Sequence, residues 1–446
     1  MPTVQFVGAS RSNAENGAAN PARLVNLYRE AAGDSRMVLR AVPGMELFGT
    51  LDAPVGRAVC GTGTTLYAAS GGFLSSVSSG GSAAVVASLI DDEDTSIATF
   101  RSNVMVAAGG EYTVYDGSSA AVVTGGAFSA VGSVAHLNGW TVLTEAGGRL
   151  FEWTELADPG TRNALHVATA EARDDDILAA TAFGGNLYIL KQTSAEIWGL
   201  TGLAGADAFA RVPGGVTDRG ILAKGLFANF GNGLFAVGND GVAYIAAGSL
   251  DVVSTPAVES AIAQGTPTRC FYYERDGGKF CVIRFADRPS WVYELTTGEW
   301  HERASGQDGA WSAIDCARAF GNRWFTLDAT GRVAELTSAV TDFGGTLYRR
   351  ATSTLFEQGG KEFGVDCIEA KSKRGYEEAS LMLEMSRDGG RTWGTPMDRS
   401  TGPVGAYDYV TAWNGLGSFR KSMTARLSLT DPVDVPIYAD WNMDVG

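Results

Sequence analysis

The sequence is poor in the residues that carry metal or nucleophilic chemistry. It contains three histidines, His136, His166 and His301, none spaced with another His or Cys as zinc ligands would be. Its five cysteines, Cys60, Cys270, Cys281, Cys316 and Cys367, form no C-x-x-C pair and are odd in number, which excludes a zinc ribbon and a complete disulfide framework. Cys270 and Cys281 can face each other across a hairpin, but unpaired thiols in a reducing cytoplasm are the reading adopted. No run of about 18 uncharged apolar residues exists, and Met1–Ser10 lacks a basic region followed by an apolar core, so neither a membrane span nor a standard secretion signal is expected. No G-x-S-x-G elbow and no Walker A loop occur. Basic residues are also in deficit: 35 Lys plus Arg face 50 Asp plus Glu, for a net charge of −15. The densest basic stretch, Lys371-Ser372-Lys373-Arg374, reads as a solvated turn, so tight binding to nucleic acid is excluded.

Glycine, by contrast, is abundant, with 58 residues spread among aromatic and β-branched positions without a three-residue period. With 45% apolar and 19% charged residues, the chain has the composition of a folded protein throughout. Its length exceeds a single ordinary core, so two domains or one large circular one are expected. Many short strands joined by tight turns fit the glycine usage.

A repeat then becomes visible. Seven segments in succession show an apolar strand, a Gly or Asn turn, a second apolar strand, a Gly or Asp turn and a third strand. Taking Leu66, Val104, Val142, Leu187, Leu234, Phe280 and Trp324 as equivalent points, the spacings are 38, 38, 45, 47, 46 and 44 residues by subtraction. One four-stranded blade fits each repeat. Runs such as Asn186–Leu190 and Gly233–Val237 are apolar on both faces, as inner strands between neighbouring blades must be. Turns such as Gly184-Gly185-Asn186 and Asp276-Gly277-Gly278 supply the residues that tolerate positive φ. The predicted fold is all-β: a six- or seven-bladed β-propeller over residues 50–340, with a β-sandwich or an unclosed array of hairpins as the alternative.

The two ends differ from the repeats. Residues 1–49 contain Arg23–Tyr28 and Val38–Gly44, read as two short strands and a turn. Residues 341–446 alternate over Ala379–Met385, Tyr407–Trp413, Met423–Leu429 and Ile437–Met443, with turns at Asp388-Gly389-Gly390, Gly415-Leu416-Gly417 and Asp431-Pro432. A β-sandwich-like platform made by both chain ends is expected, because propeller termini emerge close together.

Two features deserve a chemical reading. Ser386, Asp388, Gly390, Thr392 and Trp393 match the Asp-box pattern S-x-D-x-G-x-T-W, in which the carboxylate accepts backbone N–H groups across a hairpin and the indole packs beneath. Its role is structural. The acidic runs Asp91-Asp92-Glu93-Asp94 and Asp174-Asp175-Asp176 are candidates for exposed or channel-facing loops; a divalent cation is the alternative, though the ligand spacing of an EF-hand is absent. No catalytic constellation, cofactor site or metal site is assigned. Paired carboxylates for glycoside hydrolysis need only spatial proximity and stay open.

The segments Arg23-Leu24-Val25-Asn26-Leu27-Tyr28 with Leu39-Arg40-Ala41-Val42-Pro43-Gly44, Ser194–Gly202, and Gly215–Gly220 leading into Phe235–Tyr244 resemble the packaged-DNA stabilisation proteins of short-tailed phages, the tail nozzle or hub family. The strands around Ser386–Trp393 and Ser422–Leu429 are similar too. The resemblance implies a structural, non-enzymatic protein of the virion tail, assembled in the host bacterial cytoplasm as a ring of six copies. Its implied partners are a tail adaptor above, tail fibre or needle proteins, and viral DNA that passes without being gripped. Retention of the packaged genome until host contact would be its function. A glycan-binding or glycan-hydrolysing propeller of sialidase type is the rival, and would require clustered Arg, Tyr and carboxylates at the propeller mouth.

Overall fold

A computed structural model of the chain describes residues 3–5, 7–10, 21–31 and 37–446; within the N-terminal segment, residues 1, 2, 6, 11–20 and 32–36 lie outside the described residues. Among the described residues, seven antiparallel four-stranded blades follow one another in a ring. Six are continuous in sequence: residues 56–88, 96–122, 131–169, 177–217, 227–252 and 267–303. All seven positions aligned from the repeat, Leu66 to Trp324, fall on the second strand of their blade, and all but Trp324 are buried. The hairpins form where the turn chemistry allows: Asp276 (φ 49°) and Gly277 (φ 86°) are both left-handed, which matches the twist of the flanking strands Pro267–Arg275 and Gly278–Phe285.

Blades hold one another through aromatic and aliphatic packing. Between blades three and four, Phe151, Trp153, Trp140, Leu187, Ile189 and Phe209 share one cluster, with Phe151 edge-on to Trp198 at 4.9 Å. Each such fully buried side chain contributes roughly 1.5–3 kcal/mol relative to exposure. A short helix, Pro256–Gln264, fills the space between blades five and six with Val258, Ala261 and Ile262.

The seventh blade closes the ring with chain from both sides of the repeat. Its strands Ala313–Ala319, Arg323–Asp328 and Arg332–Thr337 are completed by Gly44–Thr50, antiparallel to Arg332–Thr337. Blades seven and one then meet so closely at their inner strands that a Cβ on Gly61 would overlap the Arg318 carbonyl and sit 3.0 Å from the Ala319 Cβ. Gly61→Val is therefore expected to wedge the ring at its closure and cost about 3 kcal/mol, read as a lower urea midpoint; an unchanged midpoint would contradict this packing.

The chain ends form a sandwich. One sheet runs in the order Thr3–Gln5, Asp440–Val445, Phe363–Ala370, Thr411–Phe419. The facing sheet contains Arg23–Val25, Arg349–Thr352, Ser422–Leu429, Ser380–Ser386 and Met397–Ser400, and continues into blade six where Val25 pairs in parallel with Glu302. Trp413, Trp441, Phe363, Phe419, Leu381 and Leu383 fill the space between them. Buried indole N–H groups find carbonyls: Trp413 donates to Met397 O at 2.6 Å and Trp441 to Tyr438 O at 2.9 Å.

Two expectations for this region are corrected. Tyr407–Val410 alternates like a strand but is an exposed loop, the strand beginning at Thr411. Gly415-Leu416-Gly417 is not a turn; it lies inside Thr411–Phe419, where Gly415 and Gly417 at φ 69° and 88° permit a bulge opposite Val365–Cys367. The five cysteines are all free. Cys270 pairs with Ile283, and Cys281 with Tyr272, so the two thiols do not face each other.

Candidate functional site

The inner strands of all seven blades surround an axial cavity of about 640 Å³. Its wall is built mainly of small side chains, among them Ala98, Ala135, Ala180 and Ala228, because seven strand edges converge there and leave little room. At one end sits an ion pair: Arg269 Nη2 lies 3.0 Å from Asp315 Oδ2. Asp315 also accepts the Val59 and Cys316 backbone N–H groups at 3.0 and 2.9 Å. Burial raises the Asp315 carboxyl above its usual range, and Arg269 pulls it partly back. Arg269 further donates to the Arg57 carbonyl at 3.2 Å. Lys224 stands at the same mouth, its ammonium destabilised by burial and supported by Asp94 and Asp92.

The acidic run Asp91–Asp94 forms part of this mouth. It links the outer strand of blade one to the inner strand of blade two, and Glu93 and Asp94 line the cavity. Arg57 holds Asp91 at 2.8 Å and approaches Glu93 at 3.8 Å. Asp92 organises the loop itself: Oδ1 accepts the Asp94 N–H at 3.1 Å and Oδ2 the Gly109 N–H at 2.8 Å. The run is a fixed rim with Asp91, Glu93 and Asp94 exposed.

The second run behaves differently. Asp174 and Asp176 are held by Arg149, but Asp175 is buried, which corrects the expectation of an exposed or channel-facing triplet. The cause is Lys191, whose side chain has 0% exposure and whose Nζ lies 2.8 Å from Asp175 Oδ1. Thr193 and Ser194 donate four further N–H and O–H bonds to that carboxylate at 2.8–3.1 Å. Burial alone would raise its pKa, but these donors outweigh it and hold the group at about 2. Lys191 completes its own set with the Ala170 and Arg173 carbonyls at 2.9 and 2.7 Å. Glu196, also fully buried, lies 3.9 Å from Nζ and accepts the Ala172 N–H at 2.8 Å. The run therefore locks blade three to blade four.

The Asp-box adopts the expected geometry on the sandwich, far in sequence from the propeller axis. Asp388 Oδ1 accepts the Arg391 and Thr392 N–H groups, each at 2.9 Å, while Oδ2 takes the Thr392 hydroxyl at 2.6 Å. Ser386 donates to Asp388 at 2.7 Å and accepts the Gly390 N–H at 2.8 Å. These bonds, the Thr392 hydroxyl foremost, hold the Asp388 carboxyl well below the usual range. Trp393 lies under the Arg426 guanidinium at 4.3 Å, and Arg426 grips Glu384 with two bonds of 2.8 Å. Asp388→Ala is expected to speed amide exchange at Arg391 and Thr392 by about tenfold or more while leaving propeller amides unchanged; equal exchange in both chains would contradict the structural role.

Three residues with large structural leverage were given no role from the sequence. Asn26 is fully buried at φ 55° and staples three segments: its side chain donates to Ala304 O (3.0 Å) and Tyr348 O (2.8 Å) and accepts the Ala304 N–H (2.9 Å). Beside it Arg23 grips Glu302 at 2.8 and 2.6 Å. Arg303, at 0% exposure, reaches Asp342 at 3.1 Å and stacks over Trp311 at 4.7 Å. Asn26 and Arg23 hold the sandwich side of the molecule to blade six, and Arg303 ties blade six to the strand Thr341–Asp342 that extends blade seven. An Asn interrupting the apolar run Leu24-Val25-Asn26-Leu27 is the one signal that pointed to such a staple.

The axial cavity, at about 640 Å³, has the size of a small-molecule site. The thiols that line it are disarmed, since burial raises Cys60, Cys270 and Cys316. His136 stacks on Phe100 at 4.3 Å, its pKa lowered by burial. Among the described residues no three His, Cys, Asp or Glu side chains are grouped to hold a metal ion. No described helix is long and apolar enough to cross a membrane.

Solved structures of similar shape include a chain of the mitotic checkpoint complex, 14% identical over 66% of this chain and 92% of that one, with a TM-score of 0.45. The RRP9 WD40 repeats are 9% identical over 67% of this chain and 99% of that one, with a TM-score of 0.46. PorZ, a surface component of the type-IX secretion system of Porphyromonas gingivalis, is 13% identical over 78% of this chain and 46% of that one, with a TM-score of 0.40. No curated protein matches the sequence. Residues 6–341 match the family described as bacteriophage P22 Gp10, β-propeller, and residues 348–441 match bacteriophage P22 Gp10, β-sandwich. The chain thus belongs to the bacteriophage P22 Gp10 family, the packaged-DNA stabilisation proteins of short-tailed phages, and is a structural protein of the phage tail.

Proposed function

We propose that six copies of this chain form a ring at the end of the tail that extends the DNA channel, retains the packaged genome and releases it into the host. The observation that carries this reading is the family match over both propeller and sandwich. Geometry adds to it: the inner strands of the seven blades close around a cavity of only about 640 Å³, with the Arg269–Asp315 pair at its mouth, which favours a duplex running between copies over one running through a propeller. In the proposed division, residues 51–340 together with the strand Gly44–Thr50 are the propeller, and residues 1–43 with 341–446 are the platform that meets the tail adaptor; the strand Gly44–Thr50, expected in the platform, belongs to blade seven because it pairs with Arg332–Thr337. Fibre or needle proteins bind outward. The excess of acidic side chains offers phosphates little to hold, which favours sliding over gripping. The role needs no catalysis, and the chain is assigned none. Assembly takes place in the host cytoplasm before the virion is released.

The test is a phage in which this chain is not made. Heads should fill and then lose DNA, with nuclease-resistant genomes falling at least about tenfold. Particles that keep a nuclease-resistant genome without this chain would overturn the proposal.

A further inference from the structure

We propose that the sandwich docks a second copy of this chain along one defined side: the edge strand Thr411–Phe419 and the loop 401–410 meet the edge strand Thr3–Gln5 of the next copy. The proposal rests on the ring reading above and names the surface that makes the ring.

The first argument is topological. Among the described residues, Thr3–Gln5 and Thr411–Phe419 are the two outer strands of one four-stranded sheet, each paired on a single side. Every neighbouring pair in that sheet is antiparallel. Placing the next copy's Thr3–Gln5 beside Thr411–Phe419 continues the alternation without reversing any strand. The contact is head to tail, so repeating it around a closed ring leaves no free edge, whereas an open edge in an isolated chain invites uncontrolled pairing. In the single chain the start of that edge lies against Met397–Ser400 of the facing sheet, where Thr411 donates its hydroxyl to Ser400 O at 3.1 Å, and two further side chains cover part of it: Arg399 donates to Ala412 O at 3.2 Å and Arg387 to Ser418 O at 3.4 Å. An incoming strand replaces them.

The second argument is the surface beside that edge. Tyr376, Val404 and Tyr407 are 58%, 72% and 69% exposed, an apolar concentration unusual for a solvated face. The loop is nonetheless built. Its Gly405 N–H donates to Gly375 O at 3.0 Å, and Tyr407 lies over Gly375 so closely that a Cβ there would be 2.7 Å from the ring. Thr401 accepts the Ala379 N–H at 2.9 Å. Fixed tyrosines give contact area at low entropic cost. Around them charges of both signs alternate: Lys373, placed 3.8 Å over the Tyr376 ring, and Arg374 stand beside Glu377, Glu378 and Asp408. A mixed rim fits another protein surface of mixed sign, and its carboxylates oppose a polyanion.

The experiment introduces Tyr407→p-benzoylphenylalanine into the chain made during infection and irradiates intact particles. The expected product is an adduct of two copies of this chain, with the crosslink mapped to residues 1–10 or to the adjoining strand 440–445. Crosslinks to a different virion protein, to DNA, or to nothing would overturn the proposal. As a second arm, Tyr376→Ser with Tyr407→Ser should leave thermal unfolding of the purified chain unchanged and lower its incorporation into particles at least about tenfold; undiminished incorporation would overturn it. If native particles held one copy each, the ring reading itself would fail. Several copies with crosslinks elsewhere would sink this surface alone.

Discussion

Lys191→Met is expected to be among the most destabilising single substitutions in the propeller, lowering the unfolding free energy by about 3–5 kcal/mol. Lys191 is the cation paired with the buried Asp175 at 2.8 Å, and it shares the buried Glu196, at 3.9 Å, with Arg211 at 3.8 Å, at the seam between blades three and four. Methionine fills the volume and leaves both charges without it. The effect is pH-dependent with a definite sign. In the native chain the Asp175 carboxyl is held at about 2, below its ordinary value near 3.9 in an unfolded chain. Its contribution is therefore fully present above pH ~4 and is lost as pH falls toward 2. Without Lys191 the upward push of burial gains ground and the carboxyl rises toward its unfolded value, so this pH-dependent contribution shrinks; the chain, less stable at neutral pH, meets its acid transition at higher pH. Adding Asp175→Asn to the Lys191→Met chain should recover part of the stability, because a neutral amide is less costly to bury than an uncompensated charge. A loss under about 1 kcal/mol for Lys191→Met, or an acid transition at the native pH, would contradict the account.

The second large effect is expected at Asn26. Asn26→Ala removes the partner of the Ala304 N–H, the Ala304 carbonyl and the Tyr348 carbonyl at a fully buried position. Unsatisfied buried groups cost roughly 1–3 kcal/mol each, and alanine at φ 55° adds about 1 kcal/mol of backbone strain. A total near 4 kcal/mol is expected in chemical denaturation, allowing for partial rescue by water. Asn26→Gly separates the two causes: it relieves the strain but not the lost bonds, and should recover only about 1 kcal/mol. Full recovery with glycine would mean that conformation, not the staple, explains the residue.

The propeller was legible because its information is local. Each blade carries its own glycine turns and its own doubly buried second strand, so Leu66, Val104 and their counterparts could be aligned without any long-range contact. The Asp-box was legible for the same reason, all its bonds lying between Ser386 and Thr392. What depends on distant partners was not. Gly44–Thr50 completes a blade whose other strands begin at Ala313, and nothing in seven residues announces a partner so far along the chain. Asp175 looks like its neighbours in an acidic run, yet a lysine in the next hairpin draws it inward. Tyr407–Val410 has the alternation of a strand but no sheet to join within the chain, and so stays on the surface.

Electron cryomicroscopy of the tail, at a resolution that separates individual blades, tests the central claim most directly. The account predicts six copies in a closed ring, their sandwiches touching side to side, with the duplex on the ring axis and no DNA along the axis of any propeller. A single copy per tail, or duplex density threading the seven-bladed ring itself, would contradict it.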